Sequence, residues 1–330
     1  GGIPRGRYTI IYGGPGVSKT TELLRWITHW QQNGLAVLLI DAEQGNDPAW
    51  MKKQGVAMKK LTMSRSTDLQ DVLDTVQRTA KSDKADVIIV DSLAALSAKE
   101  KRIKGVGHDY MTVEARRLGV FFVAATEFVA RTGTAIIFVT QVRQNPMDMF
   151  SGSLENYSGG NALKHNLSLA IHMRRKSITK VPRKDRFYRN GQKIGFMTHW
   201  TVAKTKIGIM EGLSFDTDFF LGKGPDYVSS TIEFALSVGV IIRKGAIYTI
   251  TMSDGQEHKA LGLETLRHDV ANDVKLYNSI LESIKKVDDD LLINPLGEDE
   301  VDTSYEEEVK SKVETQAESK SVTNKKEATI

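Results

Sequence analysis

The sequence predicts an α/β fold built on a mainly parallel central sheet, and three observations carry that expectation. Short runs rich in β-branched residues, Tyr8–Tyr12, Ala36–Ile40, Val87–Val90 and Ala135–Thr140, are apolar throughout rather than alternating, as strands covered on both faces are. Between them lie stretches with apolar residues at helical spacing. Each run also ends in a polar or glycine-rich turn, at Gly13, Asp41, Asp91 and Gln141. In an open parallel sheet, ligands bind outside the carboxyl ends of the strands, so these turns are expected to converge on one site.

Taken in order, the first strand and its glycine turn lead into a helix over Thr20–Gln32, and the second strand closes on Asp41. A helix over Asp68–Thr79 presents Leu69, Val72, Leu73 and Val76 on one face. After the third strand, Val113–Thr132 reads as a longer helix, followed by the fourth strand. Further strands are expected at His199–Ala203 and Ala246–Thr251. Residues 254–287 read as mixed turn and helix, with Val270, Val274, Tyr277, Ile280, Leu281 and Ile284 at helical spacing. The expected organisation is an α/β core over 1–235, a small C-terminal α/β unit over 236–287 and an acidic, disordered tail over 288–330.

Composition narrows the function classes. A chain of 330 residues can bury an enzyme-sized core. Its formal net charge of +4 is mild, but segment 297–330 alone carries ten acids against five lysines, so the body is more basic than the total suggests. With no cysteine, a disulfide framework, a thiol nucleophile and thiolate metal sites are excluded. No apolar run approaches the ~18 residues of a membrane span, and the start lacks a secretory pattern, so a cytoplasmic protein with no membrane partner is expected.

The segment "GGPGVSKTT", residues 13–21, places Gly13, Gly14, Pro15, Gly16, Val17, Ser18, Lys19, Thr20 and Thr21 between a strand and a helix. A glycine-rich turn opening a helix directs backbone N–H groups at an anion and adds the positive end of the helix dipole. Lys19 would bring charge to the β/γ phosphates and Thr20 a hydroxyl to Mg²⁺. Only Ser18 departs from the strict G-x-x-x-x-G-K-[ST] pattern, and its small side chain is expected to leave ATP binding intact. Asp91, closing its strand, would hold a Mg²⁺-bound water; standing alone it reads as a turn or cap residue. Glu43, just past another strand end, would orient or deprotonate an attacking water; standing alone it reads as a solvated loop acid.

The stretches "GGIPRGRYTIIYGGPGVSKTT", "VLLIDAEQGNDPAWMKKQGV", "DVIIVDSLAALSAKE", "IIFVTQVRQNP", "YSGGNALKH" and "VAKTKIG" resemble, in order and interval, the RecA family of DNA strand-exchange recombinases. The resemblance covers residues 1 to about 250 and, more weakly, to about 287, and the divergent loop resembles a virus-encoded (phage) member. It implies a recombinase that polymerises on single-stranded DNA as a helical filament, with ATP and Mg²⁺ between subunits, then pairs with homologous duplex DNA. Catalytic roles are implied for Lys19, Glu43 and Gln141, the last as γ-phosphate sensor, and for Lys204 and Lys206, which reach the neighbour's ATP. Without the resemblance those two lysines read as an exposed strand face. Tyr227, after "GKGPD", falls near the adenine contact. Nothing before Gly1 matches the family's N-terminal helix and strand, which pack on the adjacent subunit, so a chain beginning there is expected to polymerise poorly.

The resemblance also places DNA-contacting loops at 104–112 and 142–160. Arg116 and Arg143 are candidate phosphate contacts, and Met111, Met147 and Phe150 candidates for wedging between or stacking on bases. Gly159, Gly160 and Asn161 would offer amides at a helix start. Packing of Met147 and Phe150 onto the core is the plainer alternative. The basic run from Arg174 to Arg186 reads as a solvated hairpin or a duplex-capturing patch, and the acidic tail as a solubilising segment or an electrostatic gate. Two other functions stay open on sequence alone: a RecA-fold motor or regulatory ATPase of the helicase kind, and a nucleotide-binding DNA-coating protein with little hydrolysis.

Overall fold

In the computed structural model the described residues are 2–96, 110–143, 156–157, 160–177, 184–252 and 255–293. The chain divides into two compact units, Gly1–Glu233 and Phe234–Ile330. The first unit contains strands β1 (Tyr8–Gly13), β2 (Val37–Asp41), β3 (Leu61–Ser64), β4 (Val87–Asp91), β5 (Ala135–Arg143), β6 (Asn156–Tyr157) and β7 (Leu167–Arg175). It continues with the short pair β8 (Tyr188–Arg189) and β9 (Gln192–Lys193), then β10 (Gly195–Thr205), β11 (Ser214–Phe220) and β12 (Gly224–Pro225). Its helices are α1 (Lys19–Gln32), α2 (Pro48–Lys53), α3 (Leu69–Lys81), α4 (Tyr110–Thr132) and α5 (Gly160–Asn166). A further helix, α6, covers Tyr227–Ser237.

The main sheet runs β12-β11-β10-β7-β1-β5-β4-β2-β3. From β7 to β3 all neighbours along this path are parallel, whereas β10, β11 and β12 add an antiparallel wing. This is the α/β architecture expected. Alternation along the parallel strands explains why they read as unbroken apolar runs. Tyr8, Ile10 and Tyr12 of β1, with Ile88 and Val90 of β4, face a core closed by Leu69, Val72, Leu73 and Val76 of α3 and Phe121 and Phe122 of α4. Ile11, Val87 and Ile89 face the opposite layer, closed by Leu23, Leu24 and Ile27 of α1. Truncating one of these buried aliphatics to alanine costs about 2–5 kcal/mol, so both layers fix the strand ends firmly.

Local signals set the helix starts. Asp68 caps α3 by accepting from the Asp71 amide at 3.0 Å, and Asp47 caps α2, with Pro48 in its first turn. Sequence reading did not find β3, β7 or β11. The helix start expected at Gly159–Asn161 is short: α5 ends at Asn166 and β7 begins at Leu167. Leu167 and Leu169 are buried against the sheet, and this overrides the helical continuation.

The second unit contains an antiparallel sheet, β13 (Ile241–Lys244), β14 (Ile247–Thr251) and β15 (Glu257–Leu261). Helices α7 (Leu263–Asn272) and α8 (Val274–Ile293) follow. Val270 and Ile280 are buried, as their spacing suggested, whereas Leu281 is exposed. The acidic segment 297–330 lies outside the described residues. No helix among the described residues is long and apolar enough to cross a membrane.

Candidate active site

The parallel register brings the expected turns together. Gly13 of β1 pairs with Gln141 of β5, and Asp41 of β2 pairs with Asp91 of β4; Val90 pairs with Phe138, so the two pairs lie at neighbouring strand ends with Gln141 two residues further along than Asp91. Gly13 must be glycine: a Cβ there would fall 2.0 Å from the Met173 carbonyl oxygen on β7. Beyond it, Val17 is buried in the α1-side core and anchors the loop. Gly16 and Ser18 both adopt left-handed backbone, with φ of 68° and 75°. For a residue with a Cβ that conformation costs roughly 1–2 kcal/mol, which is why the pattern prefers glycine at position 18. The Ser18 hydroxyl donates to the Val17 carbonyl, and the Glu22 amide bonds the Ser18 carbonyl at 3.0 Å, starting α1.

Within this loop the Lys19 ammonium donates to the carbonyls of Gly13 and Gly14, both at 2.9 Å. Burial lowers its pKa, while Asp91 and Glu43 act to raise it. Thr20, one residue on, donates its hydroxyl to Asp91 at 2.8 Å. Burial pushes Asp91 up to about 6; Thr20 and Lys19 pull it down, and the nearby Glu43 and Asp41 push it further up. This crowding of carboxylates beside one lysine is a setting that a divalent cation would relieve. Among the described residues no group of three or more His, Asp or Glu side chains is arranged to hold a metal alone. A Mg²⁺ here would therefore take the Thr20 hydroxyl and phosphate oxygens, with Asp91 behind them.

Glu43 is held at the same point. Its Oε1 accepts from the Ser92 hydroxyl at 2.5 Å and from Gln141 Nε2 at 3.5 Å. The Ala42 amide bonds the Asp91 carbonyl at 2.7 Å, tying this segment to the end of β4. Asp41, 1% exposed, accepts from the amides of Gly45 and Asn46, both at 3.3 Å, and so shapes the turn that carries Glu43. Asp41 is among the strand ends the sequence expects at the site, though with no role assigned to it, whereas Ser92, next to Asp91, carries no sequence signal of its own.

Other expected residues are placed differently. Thr21 faces α2, where Trp50 Nε1 donates to its hydroxyl at 3.4 Å. Tyr227 is drawn to the first turn of α1 rather than to the loop. Its hydroxyl donates to Glu22 at 2.6 Å, and the Arg25 guanidinium lies 5.6 Å from its ring centroid. Burial pushes Glu22 up to about 7 and raises Tyr227 as well. No sequence signal marked Glu22, because only the folded helix shows which face is covered. Lys204 and Lys206 both point at the C-terminus of α5: Lys204 donates to the Lys164 carbonyl and Lys206 to the His165 carbonyl, the latter at 2.6 Å. Burial, then repulsion from Lys206, lowers the Lys204 pKa.

Of the candidate DNA contacts, Met147, Phe150 and Gly159 lie outside the described residues. Met111 falls in the first turn of α4 and Arg143 ends β5, and for both only the backbone is described. Arg116 is exposed on α4, where it lines a cavity of about 230 Å³ shared with Gln70, Asp74 and Gln77 of α3. Gly160 opens α5 with φ 68°, and a Cβ there would meet the Ala115 Cβ of α4 at 3.0 Å, so glycine permits both the turn and the helix packing. Asn161 is exposed beside it.

Comparison with known proteins gives a consistent set of relatives. A family model described as the RecA N-terminal domain matches residues 1–224. Protein RecA of Sulfurovum sp. is 29% identical over 286 residues, covering 87% of this chain and 79% of that protein. Protein RecA of Nostoc punctiforme is 30% identical over 267 residues, covering 80% and 72%. Among solved structures, one titled as the RadB recombinase has a TM-score of 0.48 and 16% identity, covering 68% of this chain and 92% of that one.

Proposed function

We propose, from the premise that this chain belongs to the RecA family of recombinases, that it is a DNA-dependent ATPase whose nucleotide sits on the loop 13–21. The observation that carries this reading is the convergence of Lys19, Thr20–Asp91 and Glu43–Gln141 at adjacent strand ends. In it, Lys19 and the α1 amides neutralise phosphate charge, Thr20 and Asp91 hold Mg²⁺, and Glu43 orients the attacking water. Gln141, sharing a hydrogen bond with Glu43 and leading out of β5 into the segment after Arg143, links the γ-phosphate to the DNA-contacting loop.

Lys204 and Lys206 complete the site of a neighbouring subunit in a filament on single-stranded DNA. Both ammonium groups sit on generic carbonyl acceptors, which a phosphate at the subunit boundary outcompetes. Homologous duplex DNA is the second partner, reached through the basic body, and the protein works in the cytoplasm on DNA. Ser18 and Tyr227 belong to this reading as loop and base-side elements. Arg116, Arg143, Met111, Met147, Phe150, Gly159, Gly160 and Asn161 belong to it as DNA contacts, the core as 1–235, the small unit from 236 to the end of α8 at Ile293, past the expected boundary at 287, and the tail as the segment beyond.

The test is ATP hydrolysis with and without single-stranded DNA. DNA is expected to stimulate turnover, and Lys19→Ala to abolish it. Absence of turnover under both conditions would leave a DNA-coating protein, and ring rather than helical assemblies in electron micrographs would favour a motor ATPase.

A further inference from the structure

Ser18 places a side chain where the loop needs left-handed backbone, so the loop must be held from outside to keep its shape. Arg175, the last residue of β7, reaches across and donates from both Nε and Nη2 to the Gly16 carbonyl, the first at 2.9 Å. The Gly16 carbonyl and the Val17 N–H belong to one trans peptide and point in opposite directions. Fixing the carbonyl toward Arg175 therefore turns the Val17 N–H to the opposite side. The guanidinium is itself fixed, 3.9 Å from the centroid of Phe196 on β10, and Phe196 stacks on Phe219 of β11 with centroids 4.9 Å apart. Both rings are buried, giving the arginine a rigid backing although it is exposed.

We infer that Arg175 is a positioning residue of the phosphate loop: it holds the Gly16–Val17 peptide in the orientation that nucleotide binding uses and offsets the strain introduced by Ser18. The antiparallel wing thereby takes part in the nucleotide site. The inference rests on reading residues 13–21 as the ATP site.

The experiment measures the affinity of the full chain for an N-methylanthraniloyl ATP analogue with Mg²⁺, without DNA. Arg175→Ala is expected to weaken binding about tenfold and Arg175→Lys, which keeps charge but loses the fork, about threefold. Adding Ser18→Gly to Arg175→Ala is expected to restore most of the loss, because glycine holds the left-handed turn unaided. A general folding defect would not be rescued in this way, and thermal melting of each variant is recorded alongside. Unchanged binding in Arg175→Ala, or a loss that Ser18→Gly leaves untouched, overturns the inference. So does a defect confined to single-stranded DNA binding measured without nucleotide. If the wild-type chain takes up no nucleotide, the reading of the site itself falls; wild-type uptake with unaltered Arg175→Ala uptake removes only Arg175.

Discussion

Lys19, Thr20, Glu43, Ser92, Asp91 and Gln141 form a set closed within one chain, bonded to one another or to the loop they serve. Lys204 and Lys206, by contrast, rest on the last carbonyls of α5, acceptors that any cation near a helix C-terminus would find. The difference teaches how such a site divides its labour. The first set is rigid because strand register and two core layers fix it before any ligand arrives. The second is held by interactions easily exchanged, as befits groups whose proposed target lies on another subunit.

Substituting both lysines separates the two halves most sharply. Lys204→Ala with Lys206→Ala is expected to lower DNA-stimulated hydrolysis by about 10³-fold, the scale of a charge supplied in trans, while the free chain binds nucleotide as before. Equal loss of nucleotide binding by the free chain would erase the division. Next in size, Glu43→Gln is expected to reduce turnover by about 10²–10³-fold with nucleotide affinity retained, since it removes the group that orients water but keeps the loop. A matching fall in affinity would show that Glu43 supports the loop instead.

The smallest effect concerns stability, and probes the first half from its buried side. Glu22 has a folded-state pKa pushed above its ordinary 4.5 to about 7, so the folded protein holds this proton more tightly than the unfolded chain does. Its contribution is therefore full below about pH 4.5 and is lost as pH rises through 7. Glu22→Gln, neutral throughout, is expected to match the wild type near pH 5 and to exceed it at pH 8, by on the order of 3 kcal/mol at most. Thermal melting of both proteins at the two pH values measures this. A pH-independent difference would mean that Glu22 is not buried as a titrating acid.

Much of the first half was legible in the sequence. Continuous apolar runs announced strands covered on both faces, and the residue following each run announced the site, because a parallel sheet has to deliver its ligand groups at one edge. The α/β fold and the family followed from those features and from stretches such as "YSGGNALKH". Less legible were β7, whose start is masked by the helix-like residues before it, and β3, a short edge strand only partly buried. Glu22 gave no signal and Arg175 stood out only as part of a basic run, since their partners, Tyr227 and Gly16, are 205 and 159 residues away in the chain.

What the sequence determined by itself is the periodic and the local: strand ends, helix caps, and the loop chemistry of Gly13 to Thr20. Only the tertiary structure decided which distant side chains meet that loop, and where Lys204 and Lys206 come to rest. Periodicity is written residue by residue along the chain, whereas a contact between strands depends on register, and register is set when two core layers pack at once.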